Sequence, residues 1–171
     1  MKLNFHRLKL RPRESEEFYL QTQGDDKLLA GVGGRFISPL EIEIVVENTG
    51  TIFSGRGKLK TELQLPCSRC LRDFSYPMEI DFDLALVEES HNGQYSPDEG
   101  FIFFKGEEAD IRAAVEEAIF MALPLSPLCR PDCKGLCPTC GQDLNIATCS
   151  CKEQDIDPRW EKLKQLDSER R

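Results

Sequence analysis

The sequence predicts an α+β protein: an antiparallel β-meander curled toward a barrel, covered by one helix, with a C-terminal cysteine-rich tail and a short terminal helix. Three observations predict it. Successive runs between Glu41 and Leu86 alternate apolar and polar residues with the period of a half-buried strand. Apolar residues from Ile111 to Ala122 recur at helical spacing. Six of the eight cysteines stand between Cys129 and Cys151. The corresponding domains are residues 1–124, β-rich, and 125–171, the tail and its helix.

Each element has its own signal. Leu3, Phe5, Leu8 and Leu10 predict a strand over residues 2–10, ended by Pro12. Residues 14–40, with Gly31, Gly33 and Gly34, predict a loop-rich stretch. Ile42, Ile44 and Val46 alternate with Glu41, Glu43 and Glu47; Asn48-Thr49-Gly50 is turn material. Leu59, Thr61, Leu63 and Leu65 alternate with Lys58, Lys60, Glu62 and Gln64, and a third run alternates from Phe74 to Leu86. Residues 90–100 predict a polar loop and Phe101–Phe104 a short strand. Glu107, Glu108 and Asp110 open the expected covering helix, where acids favour the helix dipole. Ile111, Val115, Ala118, Ile119 and Ala122 line one face of it, and Pro124 and Pro127 stop it. Trp160, Leu163 and Leu166 place a short amphipathic helix over 158–166.

Charge narrows the function classes. The net charge is −8, which excludes strong non-specific binding to a nucleic-acid backbone. The distribution is uneven: residues 79–117 hold 12 acidic and 2 basic side chains. Lys2, Arg7, Lys9, Arg11 and Arg13 stand in an N-terminal stretch without acids, and Arg56, Lys58, Lys60, Arg69 and Arg72 surround the first cysteine pair. A local basic face that docks on folded RNA or on a protein fits this pattern. No apolar run is long enough to span a membrane, and the N-terminus has no secretory apolar segment. The expected compartment is the cytoplasm, where clustered cysteines stay reduced and bind metal rather than pair as disulfides.

Cys67-Ser68-Arg69-Cys70 and Cys137-Pro138-Thr139-Cys140-Gly141 have zinc-knuckle spacing, in which a tight turn aims two sulfurs at one ion. The first pair falls at a hairpin tip and is followed by strand alternation. A redox CxxC instead needs a helix N-terminus beneath it to lower the thiol pKa. Cys149 and Cys151 can complete a tetrad with Cys137 and Cys140, leaving Cys129 and Cys133 to join Cys67 and Cys70 across the fold. The rival grouping takes Cys129, Cys133, Cys137 and Cys140 as one site; one or two zinc ions are therefore expected. The spacing Cys133-x3-Cys137-x2-Cys140 also matches that of a radical-SAM iron–sulfur cluster, but a large α/β barrel around it is missing.

Other chemistry is thin. All-cysteine sites are closed and structural, whereas hydrolytic zinc sites keep an open position. His6 and His91 lie far from the cysteines in sequence, no carboxylate pair stands at a diagnostic spacing, and no glycine-rich phosphate loop precedes a helix. The residues point to a non-enzyme without a small-molecule substrate. Residues 125–151 hold too few large apolar side chains to fold by burial, so metal binding is expected to supply that folding energy.

The hairpin LPCSRCLRDFSYPMEI, the helix ending ALPLSPLC and the tail CRPDCKGLCPTCGQDLN, in this order, resemble the bacterial and plastid YceD family. The resemblance spans about residues 40–150. It implies a role in accumulation of 23S ribosomal RNA and in large-subunit assembly, with the large-subunit precursor, 23S rRNA or a ribosomal protein as partner. No catalytic residue comes with it. Arg56, Lys58, Lys60, Arg69 and Arg72 are the expected RNA- or ribosome-facing cations. The runner-up is a zinc-stabilised module that docks a ribosomal protein through acids of 79–117 without touching RNA.

Overall fold

The computed structural model describes residues 1–91, 95 and 100–151. The expected helix over 158–166 lies outside them, as does most of the 90–100 loop. The order of elements is β1 (Lys2–Asn4), α1 (His6–Lys9), β2 (Ser15–Thr22), β3 (Arg35–Phe36), β4 (Leu40–Asn48), β5 (Ile52–Pro66), β6 (Asp73–Glu88), β7 (Phe101–Phe104), β8 (Glu108–Asp110) and α2 (Arg112–Ala122). The fold is a mixed α+β arrangement dominated by sheet.

The main sheet runs β2-β4-β5-β6-β7, with β3 pairing the far end of β5. β4, β5 and β6 form the expected antiparallel meander, and β7 joins β6 in parallel. Among the described residues the sheet does not close, and β2 and β7 are its two edges. Alternation sets which face each side chain takes. Ile42, Ile44 and Val46 of β4, Leu59, Leu63 and Leu65 of β5, and Leu84 and Leu86 of β6 are buried together with Phe5, Ile111, Val115 and Ile119. Burying each such side chain fully is worth about 1.5–3 kcal/mol. Phe5 is the hub of an aromatic cluster, with Phe18, Phe53 and Phe104 at ring-centroid distances of 5.6, 5.4 and 5.5 Å.

Three local expectations are corrected. Residues 2–10 are not one strand: β1 ends at Asn4, whose Oδ1 accepts the His6 amide at 2.9 Å and turns the chain into the single turn of α1. Leu3 and Leu8 are buried all the same, so alternating and helical spacings coincided over this short run. Residues 14–40 are not mainly loop, because β2 pairs along its full length with β4. As an edge strand, β2 half-buries Phe18 and Leu20, and the glutamates before them mask the pattern. The covering helix starts at Arg112 rather than near Glu107. Glu108–Asp110 forms β8, pairing with β1 so that Ala109 is buried opposite Leu3, and Asp110 Oδ1 accepts the Arg112 amide at 2.9 Å.

Candidate metal centres

The eight cysteines form two groups of four: Cys67, Cys70, Cys129 and Cys133; and Cys137, Cys140, Cys149 and Cys151. Within each, every sulfur lies within 4.8 Å of the others. The rival grouping of Cys129, Cys133, Cys137 and Cys140 is not assembled. Cys67 and Cys133 Sγ are 3.8 Å apart, and Cys70 and Cys129 Sγ 3.7 Å. A tetrahedral ion with metal–sulfur bonds of about 2.3 Å needs sulfurs about 3.8 Å apart. The donor set therefore fits a tetrahedral, thiophilic divalent ion with no position left open for substrate.

The two CxxC turns share one backbone construction. In the hairpin joining β5 and β6, the Leu71 amide donates to the Cys67 carbonyl at 2.9 Å and the Cys67 amide to the Arg72 carbonyl at 2.9 Å. In the tail, the Gly141 amide donates to the Cys137 carbonyl at 2.9 Å and the Cys137 amide to the Gln142 carbonyl at 2.8 Å. The residue after each second cysteine is left-handed, Leu71 at φ 58° and Gly141 at φ 73°. Such a turn aims both sulfurs and several amides to one side.

The tail is sewn onto the hairpin around the first group. The Ser68 amide donates to the Pro127 carbonyl at 2.8 Å, the Leu136 amide to the Arg69 carbonyl at 3.2 Å, and Arg69 Nη1 to the Cys133 carbonyl at 2.8 Å. Cys67, Cys70 and Cys133 are buried, with Phe74, Leu128 and Leu136 packed against them. In the second group only Cys137 is buried, and Cys140 is exposed.

Charge within each group is uneven. Burial opposes ionisation of Cys67, but the amides of Cys129, Cys70 and Arg69 outweigh it and bring its pKa down to about 6. Cys129 is pushed up to about 12, first by burial and then by the neighbouring sulfurs. In the second group the amides of Cys140 and Thr139, with the Cys149 thiol, lower Cys137 to about 6. Hydrogen bonding to Cys140, then burial, raises Cys151 to about 12. In the first group Cys67 and, through the Arg72 amide, Cys70 are favoured as thiolates while Cys129 resists. In the second Cys137 is favoured while Cys149 and Cys151 resist. Four sulfurs this close need a shared cation before all can ionise.

Two tail residues that no spacing rule marks hold this arrangement. Asn145 Oδ1 accepts from Arg130 Nη2 and from the Lys134 amide, both at 2.8 Å, while its Nδ2 donates to Cys133 Sγ at 3.4 Å. Asp143 Oδ2 pairs with Arg72 Nε at 3.1 Å. Only the general preference of Asn and Asp for turns that bond their own backbone points to them in sequence.

The five expected surface cations do not share one patch. Arg56, Lys58 and Lys60 form an exposed row on the outer face of β5, while Arg69 and Arg72 stand at the metal hairpin, engaged with Cys133 and with Asp143. Carboxylates flank the row on both sides. Lys58 lies 3.9 Å from Glu79 and 3.8 Å from Asp81, and Lys60 lies 3.3 Å from Glu79. On β4, Glu41 and Glu43 stand opposite Lys60 and Lys58. Among the described residues, no helix is long and apolar enough to cross a membrane.

Comparison with known proteins follows this geometry. Residues 55–167, from β5 through both cysteine groups, match the family model described as large ribosomal RNA subunit accumulation protein YceD. An uncharacterized Mycobacterium tuberculosis protein is 28% identical over 128 residues, 74% of this chain and 61% of that protein, so the chain spans under two thirds of that relative's length. The Bacillus subtilis protein YlbN is 26% identical over 167 residues, 97% of this chain and 96% of its own. A Zea mays protein named large ribosomal RNA subunit accumulation protein YCED homolog 1, chloroplastic, is 27% identical over 131 residues, 58% of this chain and 44% of its own. No solved structure matches the chain. The match covers the hairpin, the covering helix and the tail together, and the chain belongs to the YceD family.

Proposed function

We propose that the chain is a non-enzymatic factor for accumulation of 23S rRNA and assembly of the large ribosomal subunit, with one zinc ion in each cysteine group. Family membership carries the ribosomal part, supported by the names of the chloroplast relatives. The donor chemistry supports zinc: four thiolates in a closed tetrahedral set suit a soft, redox-inert structural ion. The first ion staples the tail to the β5–β6 hairpin and the second folds the tail around Cys137, so both serve shape rather than catalysis.

Two routes lead from that shape to the ribosome. Direct RNA contact would use Arg56, Lys58, Lys60, Arg69 and Arg72. Docking on a ribosomal protein would use acids of 79–117, to which the carboxylates of β2 and β4 on the same sheet face add. The ion pairs of Lys58 and Lys60 favour the second route, since a cation already facing Glu79 or Asp81 offers little to a phosphate.

Depletion in cells followed by quantification of the two ribosomal RNAs tests the shared reading. A selective fall in the large-subunit species is expected, and an unchanged ratio overturns it. Charge reversal at Arg56, Lys58 and Lys60 separates the routes. Loss of co-sedimentation with large-subunit precursors, together with loss of RNA crosslinks, would restore direct RNA contact.

A further inference from the structure

The outer face of the sheet carries a groove of about 480 Å³ between β2, β4, β5 and β6, lined by Glu17, Tyr19, Glu43, Val45, Arg56 and Asp81 among others. Its rim at β2 is an open sheet edge. Among the described residues, the backbone of Ser15–Thr22 bonds only to β4. In an antiparallel pair, alternate residues turn their N–H and C=O groups away from the partner, so half of this strand presents an unused ladder. Proteins commonly guard such an edge with charged side chains, above all lysine, with proline or with a bulge. The charges of β2 are Glu16 and Glu17, which repel an acidic strand and leave the edge open to a basic one. β2 contains neither lysine nor proline, and its pairing with β4 is continuous from Ser15 to Thr22.

The side chains on either side of the edge state what would pair there. Toward the core, Phe18 and Leu20 are only half-buried, and among the described residues no strand pairs on the far side of β2. On the outer face, β2 and β4 expose Glu17, Glu41, Glu43 and Glu47 with no cation on either strand's outer face, and none of the four is ion-paired among the described residues. On β5, Lys58 and Lys60 turn instead to Glu79 and Asp81 of β6, while Arg56, opposite Val45, lines the groove with Glu17 and Glu43 without an ion pair to either. Arg7 lines the same hollows as Glu16 at the start of β2, while Arg11 pairs with Glu14 at 3.1 Å. Tyr19, which donates to Glu17 Oε2 at 3.0 Å, and Val45 supply exposed apolar surface between the carboxylates.

We propose that β2 receives an extended segment of another protein by strand addition, and that this segment alternates lysine or arginine with apolar residues. Its backbone completes the open ladder, its apolar side chains cover Phe18 and Leu20, and its cations face Glu17 and Glu43. A second copy of this chain is a poor occupant, since pairing β2 with itself would double the carboxylates on one face. The inference rests on the protein-docking route above and names the class of partner.

Hydrogen exchange with a synthetic peptide alternating lysine and valine, matched in length to β2, tests the inference without the ribosome. The expected result is about fivefold or greater protection of the outward amides within 15–22, with β5 amides unchanged. Two comparison peptides carry N-methyl groups on the odd or on the even amides, and one of the two should lose the effect. A glutamate–valine peptide should give no protection, and Glu17→Lys with Glu43→Lys should abolish the effect of the lysine peptide. Equal protection by all peptides, protection elsewhere or none at all, indifference to the charge reversals, or self-association through β2 would overturn strand addition. The depletion experiment stands apart: it can fail while the peptide binds, or succeed while the peptide does not.

Discussion

Arg72 Nε lies 3.1 Å from Asp143 Oδ2, which links the cysteine hairpin of the sheet to the turn between Cys140 and Cys149. Arg72 also hydrogen-bonds the Cys70 sulfur, and its amide favours that sulfur's ionised form. Asp143 thus orients a cation that in turn supports a metal-ligating thiolate, so the two cysteine groups form one mechanical unit.

From this follows a prediction about metal affinity. Outer partners of ligating residues typically matter about 10–100-fold to metal binding. Asp143→Ala and Asn145→Ala should each weaken zinc at the first group by that order, read by competition with a chromophoric chelator. The second group should change less, because neither side chain bonds its sulfurs directly. Equal weakening at both groups would mean that these residues act through folding of the tail alone.

Metal removal should separate tail from sheet. Native mass spectrometry is expected to find two zinc ions per chain. Stripping them should expose amides of 125–151 to rapid exchange while the β4–β6 amides stay protected, since the latter rest on the apolar core. One ion per chain would demote one of the two groups.

Acidity should act on the metal-free tail in two opposite ways. Cys67 and Cys137 lie near 6 when folded against an ordinary 9.0. A depressed pKa contributes stability that is complete above pH 9 and is lost as pH falls through 6. Cys129 and Cys151, raised to about 12, contribute stability that is complete below pH 9 and is lost as pH rises through 12. Stability of the metal-free tail should therefore peak near pH 9. The opening of the tail on metal removal should accordingly be least near pH 9 and grow as pH falls toward 6, read as amide exchange corrected for its intrinsic pH dependence. Cys67→Ser with Cys137→Ser should flatten that acid limb.

Different parts of this architecture were readable from sequence to different degrees. Strands β4, β5 and β6 were readable because each buries one face against a continuous core, so Ile42, Leu59 and Leu84 sit in an unbroken alternation. β2 was not, because an edge strand covers its inner face only in part and tolerates Glu16 among the inward positions. Glu107–Asp110 read as a helix start, since acids favour a helix N-terminus. The pairing of Ala109 with Leu3, more than a hundred positions away in sequence, is invisible to a local rule. The cysteine pairs were readable from spacing, whereas their assignment to two groups needed the contact between hairpin and tail. The five cations were expected from proximity in sequence, but alternation put Arg56, Lys58 and Lys60 on a face that β4 and β6 fill with carboxylates.

The paired CxxC turns give a test of backbone strain. Leu71 adopts φ 58° with its side chain exposed, at the position that Gly141 fills in the tail. A left-handed conformation costs a non-glycine residue about 1–2 kcal/mol, while glycine's greater freedom when unfolded returns about 0.5–1 kcal/mol of that. Leu71→Gly should thus stabilise the zinc-loaded protein by up to about 1 kcal/mol in denaturant unfolding. Gly141→Leu should cost a similar amount, since a Cβ there meets nothing within 4 Å and only the backbone resists. Destabilisation by Leu71→Gly would show that the leucine side chain makes contacts worth more than the strain it bears.

The inner face of β5 offers the last prediction. Gly57 lies between Ile44 and Phe82 in register, and a Cβ built on it would fall 2.3 Å from Phe82 Cζ. The ring thus occupies the space that a side chain on residue 57 would need, and it covers backbone that would otherwise be bare inside the sheet. Gly57→Ala should force the ring aside and cost about 1–3 kcal/mol, as overpacking of a filled core does. Phe82→Leu should be destabilising alone yet recover part of the loss when combined with Gly57→Ala, since the two changes share one space. Strict additivity in urea unfolding would mean that the ring can leave Gly57 at no cost, and that the core here is looser than its geometry implies.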